Sequence, residues 1–474
     1  MLEVRRHEQR DRAGRAPVTG TVNGRAWRAA VGIGTALLMM GTLLAGVAQG
    51  QAVGCGAVIT RSTKLSADVG PCPGAGIVIA ADNITVDLGG HRVSGNPQAR
   101  VAPDKAGIVL RQVTGVKLQN GTVEGFDAGV IIMGGGRNTV RRVTARDNVN
   151  YRVVTGRDSQ PEDIVPDEGP YCELGDGITA FNSNDNVIEH NLLFGNGPFS
   201  AVSLVFDSNG NRVANNDIRD NDVMNETPEG QGTVCGSTAN GPIPDPPPFC
   251  CDAFGRHSQD VGVRVEGPGA ERNVVERNLM RRNGLAGVLI SGFHMGVGSN
   301  NGFNLVRRNR IYETGLRVHD STGDGTEAYR SSGIQLHHSG PPFIHVSYGN
   351  VIEGNDSSGN FASGIEITGP SPGSGVLGEH GNTIRDNVVN NNLLDGIHLA
   401  EGTVETEVTG NRGRGNGRDE ERVREISEGD VYANYDGVDG GDYNPGCGTN
   451  HWWRNRFDTV NQQCVAAGGA GRLE

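Results

Sequence analysis

The sequence predicts an all-β protein built as a solenoid, a parallel β-helix of about ten coils, and three observations support this fold class. A phrase of glycine, Ile or Val, any residue and an apolar residue recurs from about residue 76 to residue 410. Most copies are followed by a second phrase, Asn-x-(Val/Ile). The composition, with 74 glycines, 35% hydrophobic residues and 5% aromatic residues in 474, is not that of a helical protein. Units this short cannot bury their own apolar faces, so they must stack on one another.

The glycine phrase predicts one strand of each coil. Copies at Gly107 and Gly129 lie 22 residues apart, a length that suits three short strands at about 3.3 Å per residue. Strand alternation points Ile108 and Leu110 inward, so the predicted core is a stack of aliphatic side chains. The ten copies begin at Gly76, Gly107, Gly129, Gly177, Ala201, Gly262, Gly287, Gly333, Gly364 and Gly396.

The asparagine phrase predicts the corner before the second strand. Another asparagine follows five residues after most copies, as Asn191 follows Asn186. Asparagine tolerates left-handed backbone geometry and can bond its own backbone, so repeated corner asparagines are expected to form ladders along the solenoid. A role in glycosylation or recognition is the alternative, and it explains the regular spacing less well.

The chain resembles the right-handed parallel β-helix repeat proteins of the pectin lyase-like superfamily over roughly residues 55 to 465. Besides the repeats, the resemblance includes the entry segment 74–95, with Asp82-Asn-Ile-Thr-Val-Asp-Leu88, and the closing segment Asn444-Pro-Gly-Cys-Gly-Thr-Asn450. It implies a single-stranded right-handed parallel β-helix. The superfamily contains polysaccharide lyases, glycoside hydrolases, epimerases, phage-tail proteins and members without known chemistry, so the resemblance implies a fold and not an activity.

The N-terminus predicts export. An arginine-rich segment precedes an apolar run over residues 29–48, and small residues suit cleavage after Ala48 or Ala52. The run is also long enough for an uncleaved membrane anchor. The predicted organisation is an export signal or signal anchor over 1–48, an N-terminal cap and first coil over 49–95, β-helix repeats with loop insertions over 96–420, and a C-terminal cap over 421–474.

Eight cysteines in an exported chain predict disulfide bonds. Two local pairs are natural, Cys55 with Cys72 and Cys447 with Cys464. The remaining four allow three pairings, and a zinc site is the alternative, although no Cys-x-x-Cys spacing is present. These four are Cys172, Cys235, Cys250 and Cys251.

The net charge of the chain limits the kinds of partner that it can bind. The formal charge is −13, and removal of residues 1–48 takes away seven arginines and three acids, which leaves about −17. Nucleic acid is therefore a poor partner, and a polysaccharide or cell-surface glycan is the predicted one. We expect a secreted monomer that meets a membrane only through an uncleaved N-terminal segment.

Insertions on both sides of the glycine phrase predict a groove, because core turns need no extra residues. One set precedes the phrase, at 149–175, 222–260 and 314–332, and the other follows it, at 291–303, 337–349 and 368–381. The outward residue of each phrase then forms the floor, with the apolar ones buried under 149–175 and the last three making a polar strip. The floor residues are Val78, Val109, Ile131, Thr179, Ser203, Arg264, Leu289, Gln335, Glu366 and His398.

The strip supplies the candidate catalytic residues Gln335, Glu366 and His398. An acid beside an imidazole can hold and tune a general base, although an ordinary solvent-facing pair is the alternative. Asp395, just before a glycine phrase, would give Glu366 the second carboxylate that a glycoside hydrolase needs. Arg264 completes the candidate catalytic set.

A polysaccharide lyase needs a positive charge to neutralise the carboxylate of a uronic acid. Arg256, Arg264 and Arg330 lie on the predicted floor or walls and could bind that substrate, as could Asp176, which precedes a glycine phrase. An acidic protein would need calcium to accept an acidic glycan. The motif sets of the pectate lyase and polygalacturonase groups are not found in the sequence.

Two groups of wall residues are candidate metal ligands, although solvated loops are the alternative for both. Five of the twelve histidines fall in the three insertions that follow consecutive glycine phrases, and stacked loops would bring two or three of them together. An acidic loop suits calcium, although it lacks the full EF-hand spacing. The candidates are His294, His337, His338, His380, Asp320, Asp324 and Glu327.

Three functions remain open from the sequence. The first is a secreted carbohydrate-active enzyme, a polysaccharide lyase or glycoside hydrolase, that works in the groove. The second is a non-catalytic solenoid that binds glycan, cell wall or another protein. The third, by analogy with periplasmic β-helix proteins linked to copper maturation, is metal handling. No cofactor is certain, and calcium is the candidate.

Overall fold

Short parallel strands that stack into three ladders form most of the described chain. The computed structural model describes residues 53–96, 106–150, 175–223, 260–267, 269–291, 300–315, 332–337, 346–369, 378–417, 439–467 and 469–473. Each coil of the chain contributes one strand to each ladder, and every ladder pairing is parallel. The chain is therefore a parallel β-helix, as the sequence predicts.

The first ladder, called the glycine ladder, contains all ten predicted glycine phrases in order. It also includes one strand before them and one after them, which makes twelve described rungs. Its strands are Ala57–Ile59, Ile77–Ile79, Ala106–Arg111, Ala128–Met133, Asp176–Phe181, Ser200–Val205, Val261–Glu266, Val288–Ser291, Ile334–His337, Ile365–Ile367, Ile397–Leu399 and Gly440–Asp442.

The second ladder follows the corner asparagines, and the third follows the next corner. The second contains Thr63–Lys64, Thr85–Asp87, Val187–Glu189, Arg212–Ala214, Val274–Glu276, Leu305–Arg307, Val351–Glu353, Thr383–Arg385, Glu407–Thr409 and His451–Trp453. The third contains Val69–Cys72, Arg92–Gly95, Leu192–Phe194, Asp217–Arg219, Leu279–Arg281, Arg310–Tyr312, Asp356–Ser357, Val388–Asn390, Arg412–Arg414, Asn455–Val460 and Gly469–Leu473. Two long strands, Lys117–Glu124 and Thr139–Arg146, belong to both.

A few elements lie outside the three ladders. Asn300–Gly302 pairs with Val346–Tyr348 in a separate two-stranded sheet. A 3-10 turn, Pro445–Cys447, and a short α-helix, Gln463–Ala467, lie near the C-terminus. In the part of the chain that the structure describes, no helix is both long and apolar enough to cross a membrane.

The core is a set of aliphatic columns, as predicted. Inward residues of successive glycine phrases, such as Ile334, Ile365 and Ile397, pair rung to rung and have no exposed surface. Burying one such side chain stabilises the fold by about 1.5–3 kcal/mol. Since each rung packs mainly on its two neighbours, this stabilisation accumulates along the axis.

The phrase glycine is required because neighbouring coils approach closely at that point. A Cβ at Gly364 would lie 2.7 Å from the carbonyl oxygen of Gly396, and a Cβ at Gly129 would lie 2.4 Å from that of Gly177. Real Cβ atoms do not come this close to backbone oxygen, so a side chain would push two rungs apart. The repeated glycine therefore sets the spacing of the rungs and does not serve a left-handed turn.

The corner asparagines form buried columns along the solenoid. In one column, Asn278, Asn309 and Asn355 are joined because each Oδ1 accepts hydrogen bonds from the backbone N–H and the Nδ2 of the preceding asparagine, at 2.9–3.1 Å. The predicted ladders are confirmed, but the backbone explanation is wrong. The left-handed residue at most corners is the one before the ladder asparagine, such as Arg308 with a φ of 54°.

A column through the third corner ends on an acid. Asn360, Asn392 and Asn416 follow one another in the same pattern, and Asn416 then donates from its Nδ2 to Asp439 at 2.5 Å. Burial raises the pKa of the Asp439 carboxyl, while hydrogen bonds from Asn416 and Thr459 act in the opposite direction. The column of asparagine amides therefore ends on a carboxyl group that accepts the last hydrogen bond.

Disulfide bonds close both ends of the described solenoid. Cys55 is bonded to Cys72 and Cys447 to Cys464, each at 2.06 Å between sulfur atoms, as the sequence predicts. The other four cysteines, and the predicted export segment over 1–48, lie outside the described residues.

Asn309→Ala is expected to lower the free energy of unfolding by about 3 kcal/mol, because it leaves buried donors of Asn278 and the carbonyl of Val275 without their partner. Arg308→Gly at the preceding corner is the matched control and should change it by less than about 1 kcal/mol. Urea unfolding measures both. Equal losses would show that the column carries no special stability.

Candidate functional site

The predicted floor residues stand in one column of adjacent rungs. Pairing joins Arg264 to Leu289, Leu289 to Gln335, Gln335 to Glu366, and Glu366 to His398. This order is the predicted one. The predicted polar strip is not an open surface, because Glu366 is 1% exposed and His398 is fully buried.

A second column of side chains lies beside the first, formed by residues that precede the phrase glycine. The chain bends at Gly396, and residues three apart are in contact both in that rung and in the rung of Asp176. Asp176 accepts a hydrogen bond from Thr179 at 2.9 Å, and Asp395 lies 2.5 Å from His398. Both acids are predicted beside the groove. Ser200 and Ser332 are not, although each is a polar residue directly before the phrase.

Asp395 and His398 form a buried acid–imidazole pair, called the dyad. Asp395 Oδ2 lies 2.5 Å from His398 Nδ1, and the two side chains are 7% and 0% exposed. A carboxylate at this distance accepts a hydrogen bond from Nδ1–H, which fixes the ring orientation and places the lone pair on Nε2. The sequence predicts Glu366 as the acid beside His398, whereas the close partner is Asp395.

Tyr443 completes the dyad and was missed from the sequence. Its ring stacks on His398 with centroids 4.1 Å apart, and its hydroxyl donates to Asp395 Oδ2 at 3.1 Å. This is possible because the next rung places Gly441, which has no side chain, opposite His398. The strand Gly440–Asp442 lacks the glycine phrase in its usual register, so no repeat pattern marks Tyr443.

Glu366 lies on the rung between Gln335 and His398. Its carboxylate accepts a hydrogen bond from the hydroxyl of Ser332, which precedes the phrase glycine one rung earlier. Because Asp395 is already bonded to His398 and Tyr443, it is not a free partner for Glu366 in a two-carboxylate mechanism. We call Ser332, Gln335, Glu366, Asp395, His398 and Tyr443 together the polar cluster.

Arg264 belongs to a separate group, the arginine cluster. Its guanidinium donates to Glu266 Oε2 at 2.8 Å and to Ser203 Oγ at 3.1 Å, lies 3.8 Å from Asp176 Oδ2, and sits 5.0 Å from the ring centroid of Phe199. Arg264 is 1% exposed. A buried guanidinium shared by two carboxylates forms a structural ion pair. To neutralise the carboxylate of a substrate, as predicted, Arg264 would have to break its contacts with Glu266 and Asp176.

Asp176 is the most strongly buried acid of the arginine cluster. Burial raises the pKa of its carboxyl above the ordinary value of 3.8, and the Arg264 charge and the hydroxyls of Ser200, Ser203 and Thr179 offset only part of that rise. The predicted role of Asp176 in substrate binding would need access that its full burial does not provide.

An apolar rung separates the two clusters. Leu289 is 3% exposed and packs with Val261 and Ala286, between the rungs of Arg264 and Gln335. The structure therefore brings Gln335, Glu366, Asp395 and His398 together and keeps Arg264 and Asp176 apart from them.

Two of the candidate metal ligands, His337 and His380, lie among the described residues. His380 stacks on Tyr348 at 5.7 Å between centroids, and His337 ends the strand Ile334–His337. Across the described ranges, no three His, Cys, Asp or Glu side chains are grouped as a metal site. The other candidates, His294, His338, Asp320, Asp324 and Glu327, lie outside the described residues, as do Arg256 and Arg330.

Glu266→Gln is expected to destabilise the protein by about 3 kcal/mol, because it removes a carboxylate from a fully buried guanidinium. Glu353→Gln, which breaks the exposed pair with Arg385, is the matched control and should cost less than about 1 kcal/mol. Urea midpoints compare the two variants. Similar small losses would mean that Arg264 does not depend on Glu266.

The stability difference between the wild type and Asp176→Asn is expected to shrink as the pH rises above 3.8. With its pKa raised by burial, Asp176 binds its proton more tightly in the folded protein, so raising the pH favours the unfolded chain. Urea unfolding at pH values from about 3 to about 7, a range that spans the ordinary pKa of an aspartate, measures the difference. A difference that grows with pH would mean that the Arg264 charge outweighs burial.

Comparison with known proteins supports the fold. A family model described as a right handed beta helix region matches residues 75–243. Among solved structures, the periplasmic alginate epimerase AlgG is 12% identical with a TM-score of 0.50, over 84% of this chain and 76% of that one. The A-module of the Azotobacter vinelandii mannuronan C-5 epimerase AlgE4 is 12% identical with a TM-score of 0.42, over 89% and 88%.

These likenesses concern architecture alone. Identity near 12% does not carry an activity from one solenoid to another. No curated protein sequence matches the chain significantly. The stacked parallel ladders and the family model over residues 75–243 agree with each other, and this chain has the right-handed parallel β-helix fold.

Proposed function

We propose that the protein is a secreted, carbohydrate-active enzyme of the polysaccharide lyase or glycoside hydrolase type, with His398 as its general base. The observation that carries this proposal is the 2.5 Å contact between Asp395 Oδ2 and His398 Nδ1 on the glycine ladder. Two disulfide bonds suit an oxidising compartment outside the cytoplasm. AlgG, which shares the fold, is by its name a polysaccharide-acting enzyme.

The dyad supports base catalysis at Nε2. Asp395 holds the Nδ1 proton, and its negative charge stabilises the imidazolium that forms when Nε2 takes a proton. Tyr443 donates to the same carboxylate oxygen, which helps to hold Asp395 in place beside the imidazole. The proton would come from a sugar ring carbon in a lyase or from water in a hydrolase.

A single base fits the geometry better than two equivalent carboxylates. Asp395 is committed to His398 and Tyr443, so Glu366 lacks an independent acid for the hydrolase arrangement. Within the proposal we therefore favour a lyase, in which Glu366 and Gln335 orient the sugar. An acidic glycan would then need a cation such as calcium to offset the acidic protein.

Access to the base is part of the proposal. His398 has no exposed surface, and the Tyr443 ring covers it at 4.1 Å. Turnover therefore requires Tyr443 to move off the imidazole when the glycan enters. Such gating steps commonly limit turnover in enzymes that exclude water from the base.

The proposal is tested by incubating the protein with a panel of neutral and acidic polysaccharides, with and without calcium. Absorbance of unsaturated products marks a lyase, and new reducing ends alone mark a hydrolase. On the substrate found, His398→Ala is expected to lower kcat by about 100- to 10,000-fold with little change in KM, because it removes the base. Asp395→Asn should lower kcat in the same direction.

Glu353→Gln, on the outer face of the second ladder, is the control and should keep the wild-type rate. Circular dichroism and thermal unfolding check that each variant folds. A His398→Ala variant that folds and turns over at the wild-type rate would remove the dyad from the mechanism.

A non-catalytic glycan-binding solenoid is the second candidate. The burial of every polar side chain in the polar cluster favours it, because an interior acid–imidazole pair also serves stability. In that case the same panel shows retention of a polysaccharide without product.

A further inference from the structure

An open cavity of about 620 Å³ lies at the C-terminal end of the second ladder, and its lining includes no residue of the polar or arginine cluster. Its size falls within the roughly 300–1,000 Å³ range of small-ligand sites. The strand His451–Trp453, paired with Glu407–Thr409, forms one side, and the disulfide of Cys464 fixes another. It is lined by Glu405, Glu407, Asn450, His451, Trp452, Trp453 and Cys464.

The two adjacent tryptophans of this strand have different environments. Strand alternation turns Trp452 inward, where it is 6% exposed and donates to buried Asp442 at 2.9 Å. Trp453 points outward and is 39% exposed. Among the described residues only Val58 and Phe303 are comparably exposed large hydrophobic side chains. An indole kept at the surface of a cavity is available to a ligand.

Trp453 is held in one orientation before any ligand arrives. Its Nε1–H donates to Glu407 Oε1 at 3.0 Å, and the Arg454 guanidinium lies 4.6 Å from its ring centroid. A fixed aromatic side chain loses little conformational entropy on binding. The strand pairing and the nearby disulfide hold the surrounding backbone.

The lining combines an aromatic surface with hydrogen-bonding groups in the pattern that suits a sugar. The C–H face of a pyranose packs on an indole, and its hydroxyls donate to carboxylates. The lining contains two glutamates and no lysine or arginine, which favours an uncharged sugar over an anionic one even with the Arg454 guanidinium beside the Trp453 ring.

We propose that this cavity is a binding site for a neutral oligosaccharide, with Trp453 as the platform and Glu405 and Glu407 as hydroxyl acceptors. The site lies outside the glycine ladder, so it would hold a glycan whether or not the dyad is catalytic. It would anchor the solenoid to a neutral glycan at one end.

The test is titration of the full chain with cellohexaose, xylohexaose and mannohexaose, and with hexagalacturonate as the anionic comparison. Isothermal titration calorimetry gives affinity, and tryptophan fluorescence reports on Trp453. We expect at least one neutral hexasaccharide to bind and Trp453→Ala to weaken that binding at least about tenfold. Glu407→Gln should weaken it too, and Trp453→Phe should retain part of it.

Phe303→Ala, which removes an exposed aromatic ring elsewhere, is the control and should leave the affinity unchanged. Thermal unfolding confirms that the Trp453 variants fold. Absence of any neutral binding up to about 10 mM would overturn the proposal. Binding that survives Trp453→Ala, or preference for hexagalacturonate, would overturn it as well.

Discussion

The close contact between the phrase glycines of neighbouring coils is the constraint on which the rest of the structure depends. With only hydrogen at the phrase Cα, most strands of the glycine ladder lie directly over the previous one, as Gly364 lies against the carbonyl of Gly396. The rung of Ala201 is the exception among the ten phrases. Register is then preserved from rung to rung. Core, corner and outward positions therefore repeat as columns, and every side chain has the neighbour that its position in the coil dictates.

The columns explain how so many polar groups are buried in a protein with a thin core. The Oδ1 of a corner asparagine accepts a hydrogen bond from the backbone N–H of the asparagine one coil earlier, and its Nδ2 donates to the Oδ1 of the asparagine one coil later. The polar and arginine clusters follow the same logic, since Glu366, Asp395 and Arg264 are all satisfied by residues on their own or adjacent rungs. Buried polar groups retained in this way set which rungs stack on which.

The sequence predicts what the repeat controls. The order of Gln335, Glu366 and His398 follows directly from the phrase, as do the inward aliphatic residues. Burial of His398 depends on what covers it, and the repeat carries no such information. The contact between Asp395 and His398 arises from a bend at the glycine, and Tyr443 reaches them because the last strand departs from the phrase. Both depend on local geometry that alternation alone does not give.

Asp439 at the end of an asparagine column has a consequence for assembly. An amide both accepts from the coil before it and donates to the coil after it, so a column of amides has no intrinsic end. A carboxylate accepts from Asn416 and offers no N–H onward. A solenoid tip with open strands invites end-to-end growth into fibres. At this corner Thr459 of the closing segment covers Asp439 and donates to its second carboxylate oxygen, so the amide pattern ends inside the solenoid and is not offered at its tip.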